Sequence, residues 1–193
     1  MKKLLLSAAL AASMLAPTAV SAQAVPPATI AVVDLEKVTA DCTACKTASA
    51  ALRSQVTALQ NRERTLATPL ETEQKSIQAA IDALNGKDPD AALQARVKAF
   101  QTKQQQGQQE IAAQQQQIQR NQGFIQKQIA DKLGPIYQQV MQKRGANVLI
   151  ETGSTLATSR SVDVTADVVA ALNAALPTIA TNAPAQAQAP QGR

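Results

Sequence analysis

Cys42 and Cys45, in the stretch DCTACK, are the residues whose type and spacing most suggest chemistry. They are the chain's two cysteines, and it holds no histidine. A CxxC pair can be a thiol–disulfide active site, half of a metal site, or a structural cross-link. A strand, then CxxC-Lys, then a helix echoes a thioredoxin-type site, where a helix N-terminus lowers a thiol pKa. The next hundred residues depart from that pattern, because 46–145 read as coiled coil and bring no second βαβ unit. A metal site has still less support, with two ligands, no histidine and no second CxxC. There is also no histidine to serve as a base and no glycine-rich phosphate loop after a strand. The expectation is a non-enzyme that uses no cofactor and no metal.

The elements around the pair begin with a leader. Lys2 and Lys3, the apolar run Leu4–Leu15, Pro17 and the small-residue end Val20-Ser21-Ala22 form the three-part pattern of an export signal. Cleavage is expected after Ala22, with Ala24 the second choice. The run is too short for a membrane span, which needs about 20 apolar residues. The mature protein is expected to be exported and soluble, where disulfides persist.

Without Lys2 and Lys3 the chain has 17 basic and 14 acidic residues, net +3. Residues 46–145 carry 14 basic and 8 acidic residues, net +6, so the middle is basic and the remainder mildly acidic. Such charge suits a solvated helical surface, or attraction to unfolded acidic chains or an anionic lipid surface. Nucleic acid is not an expected partner: there is no binding motif, and the aromatics are Phe100, Phe124 and Tyr137 alone.

Thr29–Leu35 is β-rich and reads as a strand. Ala40–Cys45 reads as a turn region. From Lys46 ten positions step by four and three, eight of them apolar: Leu52, Val56, Leu59, Glu63, Leu66, Leu70, Glu73, Ile77, Ala80, Leu84. That is a heptad seam, inside which Pro69 should kink or split the helix. Asn85-Gly86 should end it, with Asp88 as the next N-cap and Pro89 in the first helical position. The result is an antiparallel hairpin with its tip near 85–90. Arms of roughly 35 to 50 residues would reach about 50 to 75 Å.

The returning helix is richer in glutamine, with fourteen in residues 101–128. Its seam runs Leu93, Val97, Phe100, Gln104, Gly107, Ile111, Gln114, Ile118, then Gln122, Ile125, Ile129, Leu133, Ile136, Val140, with one extra four-residue step. Gln and Gly bury little apolar area, and the extra step is a stutter. Gly134-Pro135 should bend or break the helix. Beyond it, Val148–Glu151 and Thr155–Thr158 read as a β-hairpin. Thr165 is expected to cap a last helix whose buried face is Val168, Ala171, Leu172 and Leu176, with a Val164–Val169 staple and Pro177 as its stop. Residues 178–193 are expected to be a disordered tail.

Strands therefore lie at both ends of a long helical insertion and must meet to bury their apolar faces. They are few and short, which predicts oligomerisation.

The chain resembles the Skp/OmpH family of periplasmic chaperones in its signal, the strand IAVVDLEKV, the Gln-rich charged hairpin and the ending NVLIETGSTLATSRSVDVTADVVAALN. In VDVTADVVAALN an Asp-aliphatic-Thr turn looks like the family's closing motif. The resemblance covers about residues 29–176. It implies an α+β fold, with a small strand-based trimerisation body (29–45 and 146–177) and a long antiparallel α-helical, coiled-coil-like arm (46–145). It also implies a homotrimer whose arms surround a cavity holding unfolded outer-membrane β-barrel proteins in the periplasm, without ATP.

Within that reading, client contact is expected at the basic arm positions Lys75, Lys87, Arg96, Lys98 and Lys103, with Phe100 as an apolar neighbour. No cysteine role carries over from the resemblance. In this context the favoured role for Cys42 and Cys45 is a structural disulfide near a helix start, with unpaired thiols or redox or metal work as alternatives. The competing functions are a coiled-coil envelope spacer without chaperone activity and, on the cysteines alone, a thiol oxidoreductase.

Overall fold

The computed structural model describes residues 25–184. Residues 1–24, with the expected export signal, and residues 185–193 of the expected tail lie outside them. In chain order the elements are β1 (Ile30–Val33), α1 (Leu35–Asp41), α2 (Thr43–Asp82), α3 (Ala91–Arg144), β2 (Val148–Glu151) and α4 (Thr165–Ala175), with 3₁₀ turns at Thr152–Ser154 and Arg160–Val162.

Strands from the two ends of the chain do meet. β1 and β2 pair in parallel, with Ile30 opposite Val148 and Val33 opposite Glu151. Asn147 fixes the register: its Oδ1 accepts from the Thr29 N–H at 2.7 Å and its Nδ2 donates to the Pro27 carbonyl at 2.8 Å. On the other side of β1, the Val164 N–H donates to the Val32 carbonyl at 2.9 Å.

Three local expectations are corrected around this sheet. First, the β-rich run ends at Val33, and Asp34 is an N-cap whose Oδ1 accepts from the Lys37 N–H at 2.8 Å. Leu35–Asp41 forms α1, so the turn expected over Ala40–Cys45 shrinks to Cys42, which closes α1 and opens α2. Secondly, Thr155–Thr158 forms no strand. No described segment pairs with it, and Leu156 stands fully exposed. Thirdly, Thr165 is the first residue of α4 rather than its cap. Its N–H donates to Asp163 Oδ1 at 2.8 Å, and its hydroxyl accepts from the Asp34 N–H at 3.0 Å. The Asp-aliphatic-Thr turn thus ties the start of α4 to the end of β1. Val164, expected to precede the cap as half of a staple, itself occupies the cap position.

The core lies where these elements converge. Val38, Cys42, Val168 and Leu172 are fully buried, joined by Ala31, Val33, Ile136, Val140 and Val164. The face expected for α4 is the one it buries. Asn173 accepts from the Thr43 N–H at 2.8 Å, giving the start of α2 a partner from α4.

Two long helices leave this core. α2 has 40 residues and α3 has 54, or about 60 and 81 Å at 1.5 Å per residue. α3 exceeds the expected arm because its last turns, with Ile136 and Val140, enter the core. Neither proline interrupts its helix. Thr65 and Pro69 are both exposed, as are Asp131 and Pro135, so water can meet each carbonyl that a proline leaves unpaired. Gly134 has no Cβ to clash with the Pro135 ring, which removes the usual objection to helix before proline. α2 ends at Asp82, before Asn85 and Gly86 take left-handed conformations at φ 50° and 85°. The cap of α3 is Asp90, not Asp88: its Oδ1 accepts from the Leu93 N–H at 2.8 Å. Gly145, at φ 67°, closes α3, with the Ala146 N–H donating to the Met141 carbonyl at 2.9 Å.

Candidate functional site

The arm is built on the expected seam, and the seam is thin where glutamine and glycine enter it. Leu59 and Ile77 are buried, and Glu63, Leu66, Leu70 and Glu73 half-buried, while Val56 is exposed. On α3 Ile125 is buried, Gln104 and Gln122 are exposed, and Asn121 takes the inward place next to Gln122. Gly107 faces Leu66, and an added Cβ there would stand 3.8 Å from Leu66 Cδ1. Its missing side chain leaves grooves along the arm, the first lined by Leu66, Pro69, Leu70, Lys103 and Gly107. Another, bordered by Gln104, Ile111 and Gln115, includes the same Gly107. A third lies near the tip, between Ile81, Pro89, Leu93, Val97 and Lys98.

Gly107→Ala should therefore stabilise the arm by about 1 kcal/mol, since the methyl meets only an ordinary contact and glycine is a poor helix former. Slower amide exchange along residues 104–111 would report the gain; faster exchange would show that the groove cannot take a methyl group.

The expected contact residues fall into two groups. Lys75, Lys87, Lys98 and Lys103 are exposed, and Lys98 and Lys103 each border an apolar groove. Phe100 is half-buried. Arg96 instead braces the hairpin: its Nε lies 2.6 Å from Glu73 Oε1, and its Nη2 donates to Ser76 Oγ at 2.7 Å. That guanidinium holds the Glu73 carboxyl below the usual range, chiefly by its hydrogen bond. Arg62 and Glu110 form a second brace between the helices, paired at 2.6 and 2.9 Å.

Cys42 and Cys45 are joined, with S–S 2.11 Å, and sit inside the core at 0% and 4% exposure. Cys42 Sγ also accepts from the Cys45 N–H at 3.2 Å. The pair fastens α1 to α2 where the arm leaves the body. Closing so short a loop constrains the unfolded chain by only about 2 kcal/mol. Reduction should lower the unfolding free energy measured in urea by about that amount and leave the fold in place; complete unfolding on reduction would show the cross-link to be essential.

Four amide side chains escape a reading based on apolar spacing. Residues 178–184, expected to be loose tail, lie along the arm. Gln128 exchanges two hydrogen bonds with Ala180, Nε2 to the carbonyl at 2.9 Å and Oε1 from the N–H at 3.0 Å. Asn121, 2% exposed, accepts from the Ala183 N–H at 2.8 Å and donates to Gln55 at 2.8 Å. Gln55 and Gln117 complete the row. The only sequence signal was a polar residue, Asn121, three residues after Ile118 and four before Ile125.

Residues 29–172 match the family described as Outer membrane protein (OmpH-like). The chain belongs to the OmpH-like family. Its fold is similar to the crystal structure of a candidate outer membrane chaperone (OmpH-like) from Caulobacter crescentus CB15, with a TM-score of 0.68 at 19% identity. That similarity covers 84% of this chain and 95% of the other, so the OmpH-like fold is matched from body to arm. No curated protein matches the chain.

Two carboxylates in the body of this OmpH-like fold, Asp163 and Asp167, are held below their ordinary range. Asp163 is lowered by its hydrogen bonds from Thr165, and Asp167 by Arg144 and Lys143. A depressed carboxylate contributes stability above its unfolded pKa and loses it as pH falls through the folded value. With no histidine in the chain, the melting temperature should be flat between about pH 5 and 8 and should fall below about pH 4. A loss of stability between pH 8 and 5 would contradict these assignments.

Proposed function

We propose that this OmpH-like protein is an exported, periplasmic, ATP-independent holdase, which keeps unfolded outer-membrane β-barrel proteins from aggregating between its helical arms. The observation that carries the proposal is the arm: two helices about 60 and 81 Å long, with a seam thinned into shallow apolar grooves bordered by lysines. A holdase needs broad, weak, apolar contact that permits release, and charge to speed encounter. Grooves around Gly107 and beside Lys98 and Lys103 supply both. Family membership agrees with this use of the fold.

The working unit of the proposal is a homotrimer. One chain's sheet has two strands, and β2 pairs on one side only among the described residues. Val148 on β2, Ile30 opposite it on β1 and Leu156 in the loop after β2 are exposed apolar side chains, at 36%, 45% and 108%. The unpaired edge of β2 is a template for pairing with another copy, and burying those side chains would enlarge a thin core.

The test is a dilution. An unfolded outer-membrane barrel protein in urea is diluted into buffer with and without the purified mature chain, and light scattering is followed. The holdase reading expects scattering to be suppressed at a few chains per client. Unchanged scattering would favour a coiled-coil spacer without chaperone activity.

A further inference from the structure

The row of amides on the arm, of which Asn121 takes an inward place in the seam, lies apart from the grooves around Gly107 and the tip. Gln55, Gln117, Asn121 and Gln128 hold the chain's own residues 180–183, and they hold them almost wholly by backbone. Gln128 takes both the N–H and the carbonyl of Ala180. Asn121 takes the N–H of Ala183, and Gln117 donates to that residue's carbonyl at 3.4 Å. Gln55 donates to the Thr181 carbonyl at 3.4 Å, and its one side-chain contact with the tail is Asn182 Oδ1 at 3.3 Å. The doubled bond between Gln128 and Ala180 has the donor–acceptor pattern of a β-ladder pair, with a side-chain amide in place of the neighbouring strand.

Asn121 and Gln128 are seven residues apart, two turns or about 10.5 Å along a helix. Ala180 and Ala183 are three apart, at most about 10 Å of backbone, and the chain bends at Asn182 between them. The side-chain amides reach both ends of this bent segment. One more seven-residue step along α3 reaches Gln114, which borders a pocket with Gln55, Ala58, Asn121 and Asn182.

We infer that this amide row is a sequence-independent binding site for non-helical polypeptide backbone, occupied at rest by residues 180–183 as an internal stand-in. The partner it fits is an uncharged segment of an unfolded protein, which displaces the tail and reaches towards Gln114. The identity of that partner as a client rests on the proposed holdase function; the site itself does not.

The experiment uses the full mature chain carrying Ala180→Pro and Ala183→Pro. Proline has no N–H, so the tail loses the two donors that Gln128 and Asn121 accept, while the arm keeps every side chain. The probe is a fluorescent peptide with the sequence of residues 178–183, TIATNA, followed by anisotropy. The double-proline chain should bind it at least roughly tenfold more tightly than the parent, whose attached tail competes at high effective concentration. Adding Gln128→Ala should weaken binding roughly tenfold, the equivalent of two hydrogen bonds. The peptide N-methylated at the residues equivalent to Ala180 and Ala183 should not bind. Equal or absent binding by the parent and double-proline chains, both with unchanged circular dichroism, would overturn the inference. Because no barrel client is present, this result separates from the aggregation assay. Suppressed aggregation without peptide binding keeps the holdase and rejects the amide site; peptide binding without suppression keeps the site and rejects the holdase.

Discussion

Leu172→Ala is expected to lower the stability of the body by about 2–5 kcal/mol. Leu172 is fully buried on α4, in a core that gathers β1, α1, the start of α2 and the end of α3. A domain of ordinary stability has about 5–15 kcal/mol in all, so the loss is a large share. The body is also thin, and few neighbours can move in to fill the space left by the shortened side chain. The measurement is the urea midpoint at fixed chain concentration, because subunit association would make it concentration-dependent. Val56→Ala is the control: Val56 stands 39% exposed on the arm and should shift stability by less than about 0.5 kcal/mol. If the two variants melt alike, the core is not where these contacts place it.

Reversing Lys75, Lys87, Lys98 and Lys103 together to glutamate should slow client capture about tenfold or more at low salt. The arm region changes from net +6 to net −2, since each of four reversals removes two charges. All four lysines are exposed, so the fold should survive. Arg96 is left in place because its bonds to Glu73 and Ser76 hold the hairpin together, and its loss would confuse steering with structure. At about 0.5 M salt the Debye length is only a few ångströms, and the variant and parent rates should converge. Equal rates at low salt would reject charge steering. A deficit that persists at high salt would mean that the lysines act by contact.

The arm was legible in the sequence because aliphatic residues at three- and four-residue steps impose a helix face. The same periodicity marks the buried face of α4. It does not reveal α1, whose seven residues are too few to show a period and come directly after a β-rich run. Composition overstated Thr155–Thr158, since β-branched residues do not supply a neighbouring strand. Both prolines were expected to break helices, yet each lies on an exposed stretch where the loss of one hydrogen bond is tolerable. The tail shows the limit most clearly. Residues 178–184, TIATNAP, hold one large apolar side chain and no apolar pattern, so composition reads them as loose. What holds them is Ile179 packed against the core and backbone hydrogen bonding to Gln55, Asn121 and Gln128, and composition does not encode that.

The most direct test of the central claim is the mass of the soluble complex formed when an unfolded outer-membrane barrel protein is diluted from urea into the mature chain. The account predicts suppressed aggregation and a complex of one client with three chains. A client that aggregates as fast as it does alone, or that is held by a single chain, would contradict it.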